Sequence, residues 1–426
     1  MSRLTTWVGL ILFFLIVVFP AEHMILKLPF VIFITITCIV DILIKKKIVI
    51  YKPIFALVLL ITTKGIIWTI IGFLNGNAGA LTVVYVNVVW YLLFGLFISE
   101  IKTLDVFFKV LTILLASGAA FVLFDLAFVL MSFGVLPHFE VSSLFNIEEF
   151  YFSIISDAGF SYLQTNHLNN LVFIYPLTLF LLVSEKKVDT RSFFTSKTFL
   201  IIFVILELIL MVLSGRRIMI LTIFTAPIYI WIFLHFYNKK IRLFINKNLR
   251  LYLVIFGVIT IMGIEYFLIQ QNITIGSLGD RFLAAFDSKQ EPVRFTQAQL
   301  LFKGFMDSPI IGNGAAAEIL GFKRSSAVPW AFEQSYIDDL FKTGILGASM
   351  FWIFIGGIIY YGIKLIKRTN DELITGLLIG LISFLVANGT NPFLSSFDYF
   401  WPIFLPMAYI NAYWQEKNNS RFSQIL

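Results

Sequence analysis

The chain is nearly devoid of cysteine. Its one thiol, Cys38, excludes an internal disulfide and any cysteine-rich metal site. Histidine is scarce as well: four are scattered along 426 residues, and no acid pair has the Asp-x-Asp form, so metal-ligand spacing is absent. There is no glycine-rich phosphate loop and no nucleophile elbow. No metal and no cofactor is therefore expected. Charged residues make up only 13% of a chain that is 59% hydrophobic, which excludes an ordinary soluble protein of this length. Low-complexity tracts, a clear internal repeat and a separate soluble domain are also missing.

What is present is apolar sequence, with a mean hydropathy of +0.90. Runs of about 20 apolar residues recur, the length that crosses a bilayer. The expected fold is all-α: a polytopic transmembrane bundle forming a single integral membrane domain over 1–426. About twelve spans are read, near 4–21, 25–44, 53–73, 81–101, 106–133, 168–184, 198–214, 218–237, 251–270, 344–366, 372–390 and 397–415. Met1-Ser-Arg3 and the apolar run after it read as the first span, since no small-residue cleavage site follows before His23. The 48 phenylalanines suit lipid contact and large helix interfaces.

The net charge of +7 is a topological signal here, not a nucleic-acid signal. Alternate connections carry the basic residues: Lys45-Lys46-Lys47 with Lys52; Lys102; Lys186, Lys187, Arg191 and Lys197; Lys239, Lys240, Arg242, Lys247 and Arg250; Lys364, Lys367 and Arg368. Lys417 and Arg421 follow near the end of the chain. The connections around 22–24, 74–80 and 390–396 have no Lys or Arg. This alternation predicts an even number of spans with both termini cytoplasmic.

Two external segments are longer, 134–167 and 271–343. The second lies between spans nine and ten and is expected to be partly helical, with Phe295, Leu300, Leu301 and Phe305 loosely amphipathic. It carries Arg281, Arg294, a Pro309-Ile-Ile-Gly312-Asn-Gly314 turn and Glu333-Gln-Ser-Tyr336. Arg216 and Arg217, after Ser214-Gly215, break the positive-inside trend. Guanidinium forks match phosphate oxygens bidentately, so a phosphate clamp competes with headgroup snorkelling as their reading. For Arg281 and Arg294 a surface salt bridge with Asp280, Asp287 or Glu291 competes with anion binding. Glu333 is placed to act as a general base on a hydroxyl; Asp338 and Asp339 read as a solvated helix face. His167, after Asn166, is a weak candidate for sugar or phosphate. Lys64, Asp125, Glu207 and Glu265 lie within spans, where a structural pair of Lys64 with Asp125 or Glu207 is preferred to a proton relay.

In their order these features resemble the O-antigen polymerase and ligase superfamily of integral membrane glycosyltransferases. Ser214-Gly-Arg216-Arg217 looks like its Ser-x-x-Arg signature. Arg294 followed by Pro309-Ile-Ile-Gly312-Asn-Gly314 is similar to its arginine and Pro-x-x-Gly-x-Gly stretch. Glu333-Gln334, nine residues, then Gly344-Ile-Leu-Gly347 resembles a His-Asn…Gly-x-x-Gly element in spacing. Asn166-His167 resembles a less specific Asn-His. Ligases carry histidine where this chain has Glu333, which favours a polymerase over a ligase. The resemblance implies a bacterial inner-membrane enzyme of GT-C type, working on the periplasmic face. It would join undecaprenyl-pyrophosphate-linked repeat units of an O-antigen or capsule by metal-independent, inverting transfer. Glu333, Arg217 and Arg294 would be catalytic, and Arg216, Arg281, His167 and Tyr336 would bind substrate. A flippase and a chain-length regulator are the implied partners. Two other readings stay open: a ligase acting on lipid A-core or another acceptor, and a lipid-linked oligosaccharide flippase or transporter.

Overall fold

The computed structural model describes residues 3–20, 23–46, 48–132, 135–136, 153–157, 160–184, 192–214, 216–237, 292–323 and 325–423. The helices are α1 (Arg3–Val18), α2 (Met24–Lys45), α3 (Lys52–Leu74), α4 (Trp90–Glu100), α5 (Leu104–Ser132), α6 (Leu171–Val183), α7 (Lys197–Leu213), α8 (Arg217–Tyr237), α9 (Pro292–Asp307), α10 (Ser335–Thr369), α11 (Glu372–Asn388) and α12 (Trp401–Ser423). A π-helical turn, Tyr85–Val89, leads into α4. Five of these helices, α2, α3, α5, α8 and α10, are long and apolar enough to cross a membrane, and four shorter apolar helices accompany them. The chain thus has the build of a helical membrane protein. The expected ninth span, 251–270, lies outside the described residues, as do Arg281 and Glu265. The stretch 134–167 departs from an all-helical expectation. It contains an antiparallel hairpin, β1 (Ser153–Asp157) and β2 (Phe160–Gln164), in register from Ser153 opposite Gln164 to Asp157 opposite Phe160.

Helix starts follow local chemistry. The Ser196 hydroxyl accepts from the Phe199 amide at α7, and Asp371 accepts from Leu373 and Ile374 at α11. The main core lies along α6 and α11, whose facing residues Leu171, Phe173, Ile174, Leu177, Ile374, Leu377 and Leu381 are all buried. Gly380 lets the two helices close, because a Cβ there would sit 3.0 Å from the Phe173 carbonyl.

Several buried ionisable groups meet a polar partner, as an apolar surround favours. Lys27 meets Asp398 at 2.9 Å, each 1% exposed, and donates to the Phe19 carbonyl. His167 Nε2 lies 2.7 Å from Asp125, which also accepts from Thr165. Glu207 accepts from Thr178 at 2.6 Å. Lys64 does not pair with Asp125 or Glu207 as expected. It reaches Asp339 at 2.6 and 2.8 Å, a residue 275 positions away.

At the end of the bundle bearing 45–52, 100–104, 184, 368–372 and 411–417, bonds tie the connections together. Asn411 accepts from the Tyr51 amide and donates to the Ile98 and Ile101 carbonyls, while Ser184 meets Glu372. At the other end the chain forms a separate layer, with its own small core of Leu301, Ala317, Ile319, Phe332 and Phe341.

Candidate functional site

The layer is built around a broken helix. Gly344 interrupts α10 with φ 59° and ψ −171°. A break strands amides at the start of one half and carbonyls at the end of the other. The loop after α9 satisfies both sets. Ile345 and Leu346 donate to the Pro309 and Ile310 carbonyls at 2.8 and 3.1 Å. Asn313 donates from backbone and side chain to the Phe341 carbonyl at 3.1 and 2.9 Å, and Gly314 donates to Lys342 at 2.8 Å.

Glycine is dictated here by space and by φ. A Cβ on Gly312, at φ +77°, would lie 2.5 Å from the Gly344 nitrogen, and one on Gly344 would lie 2.4 Å from the Ile310 oxygen. The C-terminal end of α3 and the residues just after it clamp the same loop. Trp68 Nε1 donates to the Ile311 carbonyl at 2.6 Å, and Asn77 donates to the Asn313 and Ala315 carbonyls. The Pro309–Gly314 and Gly344–Gly347 motifs are therefore two halves of one backbone joint.

That joint fixes α9. Arg294, Gln297, Leu301 and Phe305 recur at three- and four-residue steps and so share one stripe. Gln297, Leu301 and Phe305 on it are buried. Gly304 brings α9 against the Phe341 ring. The stripe carries Arg294 to the residues just before α10. Arg294 Nε donates to Glu333 Oε2 at 2.5 Å, with side-chain exposures of 37% and 16%. Gln334 Nε2 donates to the Arg294 carbonyl at 3.3 Å, so consecutive residues bracket Arg294 from side chain and backbone. Two buried amide atoms beside the pair, Gln297 Nε2 and Gln334 Oε1, have no hydrogen-bond partner among the described residues.

Asp338 and Asp339 do not form a solvated face, contrary to the sequence expectation. Asp338 meets Lys342 at 2.7 Å and Asp339 holds Lys64, because the layer folds this turn of α10 inward over α3. Asp338 precedes the Gly344 break and so stands in the polar layer. Burial raises its carboxyl to about 6 against the lowering pull of Lys342.

The second arginine group is at the junction of α7 and α8. Ser214 caps α7 and accepts from the Arg216 amide at 3.3 Å. The Arg216 guanidinium donates to Asn169 Oδ1 at 2.5 Å; Asn169 donates to the Tyr399 hydroxyl, which donates to the Asn166 carbonyl. Arg217 opens α8, half-buried. The Asn166-His167 motif thus splits by role. His167 is a core partner of Asp125 and only 2% exposed. The Asn166 backbone anchors the Arg216 network.

The connection between α11 and α12 touches both groups: Ser335 donates to the Asn391 carbonyl at 3.4 Å, while Tyr399 holds Asn169. Tyr336 directs its hydroxyl to the Leu385 carbonyl and its ring against Trp352, so it braces α10 on α11.

Of the candidate residues, the structure joins Arg294 to Glu333 and sets Arg216 beside Arg217 at a helix junction. Arg281 lies outside the described residues. Asn169, Tyr399 and Lys342 had no sequence signal beyond being polar near span ends. Among the described residues, no group of three His, Cys, Asp or Glu side chains is gathered as for a metal ion. The chain matches no known family model, no curated protein and no solved structure.

Proposed function

We propose that this chain is a membrane glycosyltransferase that polymerises polyprenyl-pyrophosphate-linked saccharide units at the external face of a bacterial cytoplasmic membrane. The reading includes about twelve spans, with the segment 271–343 outside. It rests on the resemblance in motif order, and above all on the Arg294–Glu333 pair at 2.5 Å.

An arginine held by a carboxylate suits exchange. An incoming pyrophosphate competes with Glu333 for the guanidinium, because phosphate oxygens accept the same fork. Displaced from Arg294, Glu333 is freed to take a proton. In the reaction an acceptor sugar hydroxyl attacks the anomeric carbon of the donor. The carbon–oxygen bond to the pyrophosphate breaks, and polyprenyl pyrophosphate leaves with the bonding electrons. The hydroxyl proton passes to Glu333, and the single displacement inverts the anomeric centre. Arg294 and Arg217 stabilise charge developing on the leaving group, a role that fixed donors perform well in a poorly solvated site. Arg216 supports Arg217, and Gln297 and Gln334 offer amide groups to sugar hydroxyls.

Incubating purified protein with one defined undecaprenyl-pyrophosphate-linked repeat unit tests this reading. A product ladder that persists in a chelator is expected. A single transfer to a different acceptor would make the chain a ligase, and no transfer at all would overturn the proposal.

A further inference from the structure

Away from the Arg294 layer, α1, α2, α4, α5 and α12 surround a partly open cavity of about 120 Å³. Its walls are apolar, with Leu10, Phe13, Ile34, Phe97, Val110 and Phe404 among them, while Thr6, Glu100 and the indole of Trp401 bring the polar side-chain atoms. On α1 the lining runs from Thr6 to Ile16. At 1.5 Å per residue that is roughly 15 Å, half of a hydrocarbon core about 30 Å thick. The space is therefore about one leaflet deep.

One end is charged. Glu100 lines it, Lys102 lies 3.3 Å from Glu100 and 3.5 Å from Asp41, and Lys45 lies 2.5 Å from Asp41. An empty space of this kind forfeits dispersion contacts along its walls, and water finds few partners inside it. A hydrocarbon chain fills it without either cost. The Lys102 ammonium, beside the lining carboxylate of Glu100, suits a phosphate, and the carboxylates of Glu100 and Asp41 near it suit a zwitterionic headgroup.

We propose that this cavity binds one acyl chain of a glycerophospholipid from the leaflet at this charged end, with its phosphate against Lys102. The site is independent of glycosyl transfer: its lining shares no residue with the arginine groups.

The test uses the whole protein, delipidated in detergent and titrated with palmitoyl-oleoyl phosphatidylethanolamine. Bound lipid is counted by native mass spectrometry and the thermal midpoint is followed. A Cβ on Gly9 would meet only Ile34, at 4.0 Å, so Gly9→Leu fills the cavity with its own side chain. Wild type should retain a tight phospholipid and gain stability on titration. Gly9→Leu should carry one fewer and need at least tenfold more lipid for the same gain. Lys102→Gln should weaken retention several-fold while leaving the cavity open. If Gly9→Leu does not fold, Ala408→Leu fills the same space from α12. Wild type without a retained phospholipid would overturn the proposal, even if neither filled variant folds. So would equal lipid counts in wild type and a filled variant, or a Gly9→Leu protein stabilised while wild type ignores lipid, which marks a plain void. Unchanged retention in Lys102→Gln would overturn the headgroup assignment.

Discussion

The bundle and the layer around Gly344 solve the problem of buried polarity in opposite ways. In the bundle, buried ionisable side chains are few, and some meet an opposite partner, as in Lys27–Asp398 and His167–Asp125. Around Gly344, the backbone itself is exposed by a helix break and satisfied by a loop some 30 residues earlier in sequence. A bilayer-spanning segment tolerates an irregular backbone only where protein covers it. The joint of Pro309–Gly314 with Gly344 is such a place. Rigidity is divided between the two regions. The bundle provides a stable frame, and the bonds that fix the position of Arg294 and Glu333 lie in the joint.

Lys27→Met leaves Asp398 as a buried charge without this partner, and loss of one partner of a buried pair costs about 3–5 kcal/mol. The thermal midpoint in detergent should fall steeply, and Lys27→Met combined with Asp398→Leu should recover most of it. A midpoint unchanged by Lys27→Met would mean that the pair does not hold α2 to the start of α12.

In the layer, Gly344→Ala meets the Ile310 oxygen and a left-handed φ together, a strain of about 1–3 kcal/mol before the clash is counted. Gly356→Ala, where an added Cβ meets nothing within 4 Å, is the matched control. Protease accessibility of the loop after α9 should rise in the first variant and not in the second. Equal behaviour of the two would remove the joint from the account.

The smallest effect concerns pH. Burial raises the Asp338 carboxyl from 3.8 to about 6 in the folded protein. A raised carboxyl makes the folded state bind the proton more readily, so its contribution to stability is fully present below about pH 4 and is lost as pH rises through about 6. Asp338→Asn should flatten that part of the stability profile between these pH values while leaving the bundle's midpoint at low pH unchanged. An identical slope in wild type and variant would assign the pH dependence to other groups.

Hydrophobic runs made most helices legible from sequence, because every stretch buried against lipid or another helix has to be apolar. α9 was legible from the loose spacing of Phe295, Leu300, Leu301 and Phe305. The partners of charged groups were not. Lys64 finds Asp339 across 275 positions, and no local pattern encodes that meeting. The same gap hid the true surroundings of Asp338 and Asp339, whose spacing alone fits an exposed face. The β1–β2 hairpin was not legible: its strands are joined by Ala158-Gly159, which is not one of the Asn-Gly, Asp-Gly or Gly-Asp pairs that mark a two-residue hairpin turn. The sequence marked Arg294 and Glu333 separately. Only the packing of α9 on the start of α10 shows that they touch.

The most direct test is the product pattern of Glu333→Gln. Glutamine keeps the size of the side chain but cannot accept the proton, and a general base contributes about 10²–10⁴-fold to rate. With a single lipid-linked repeat unit, the account predicts that the variant stays folded, binds the substrate and makes little or no ladder. A normal ladder from Glu333→Gln, together with loss of function on replacing Lys64 or Glu207, would contradict it and favour a transporter.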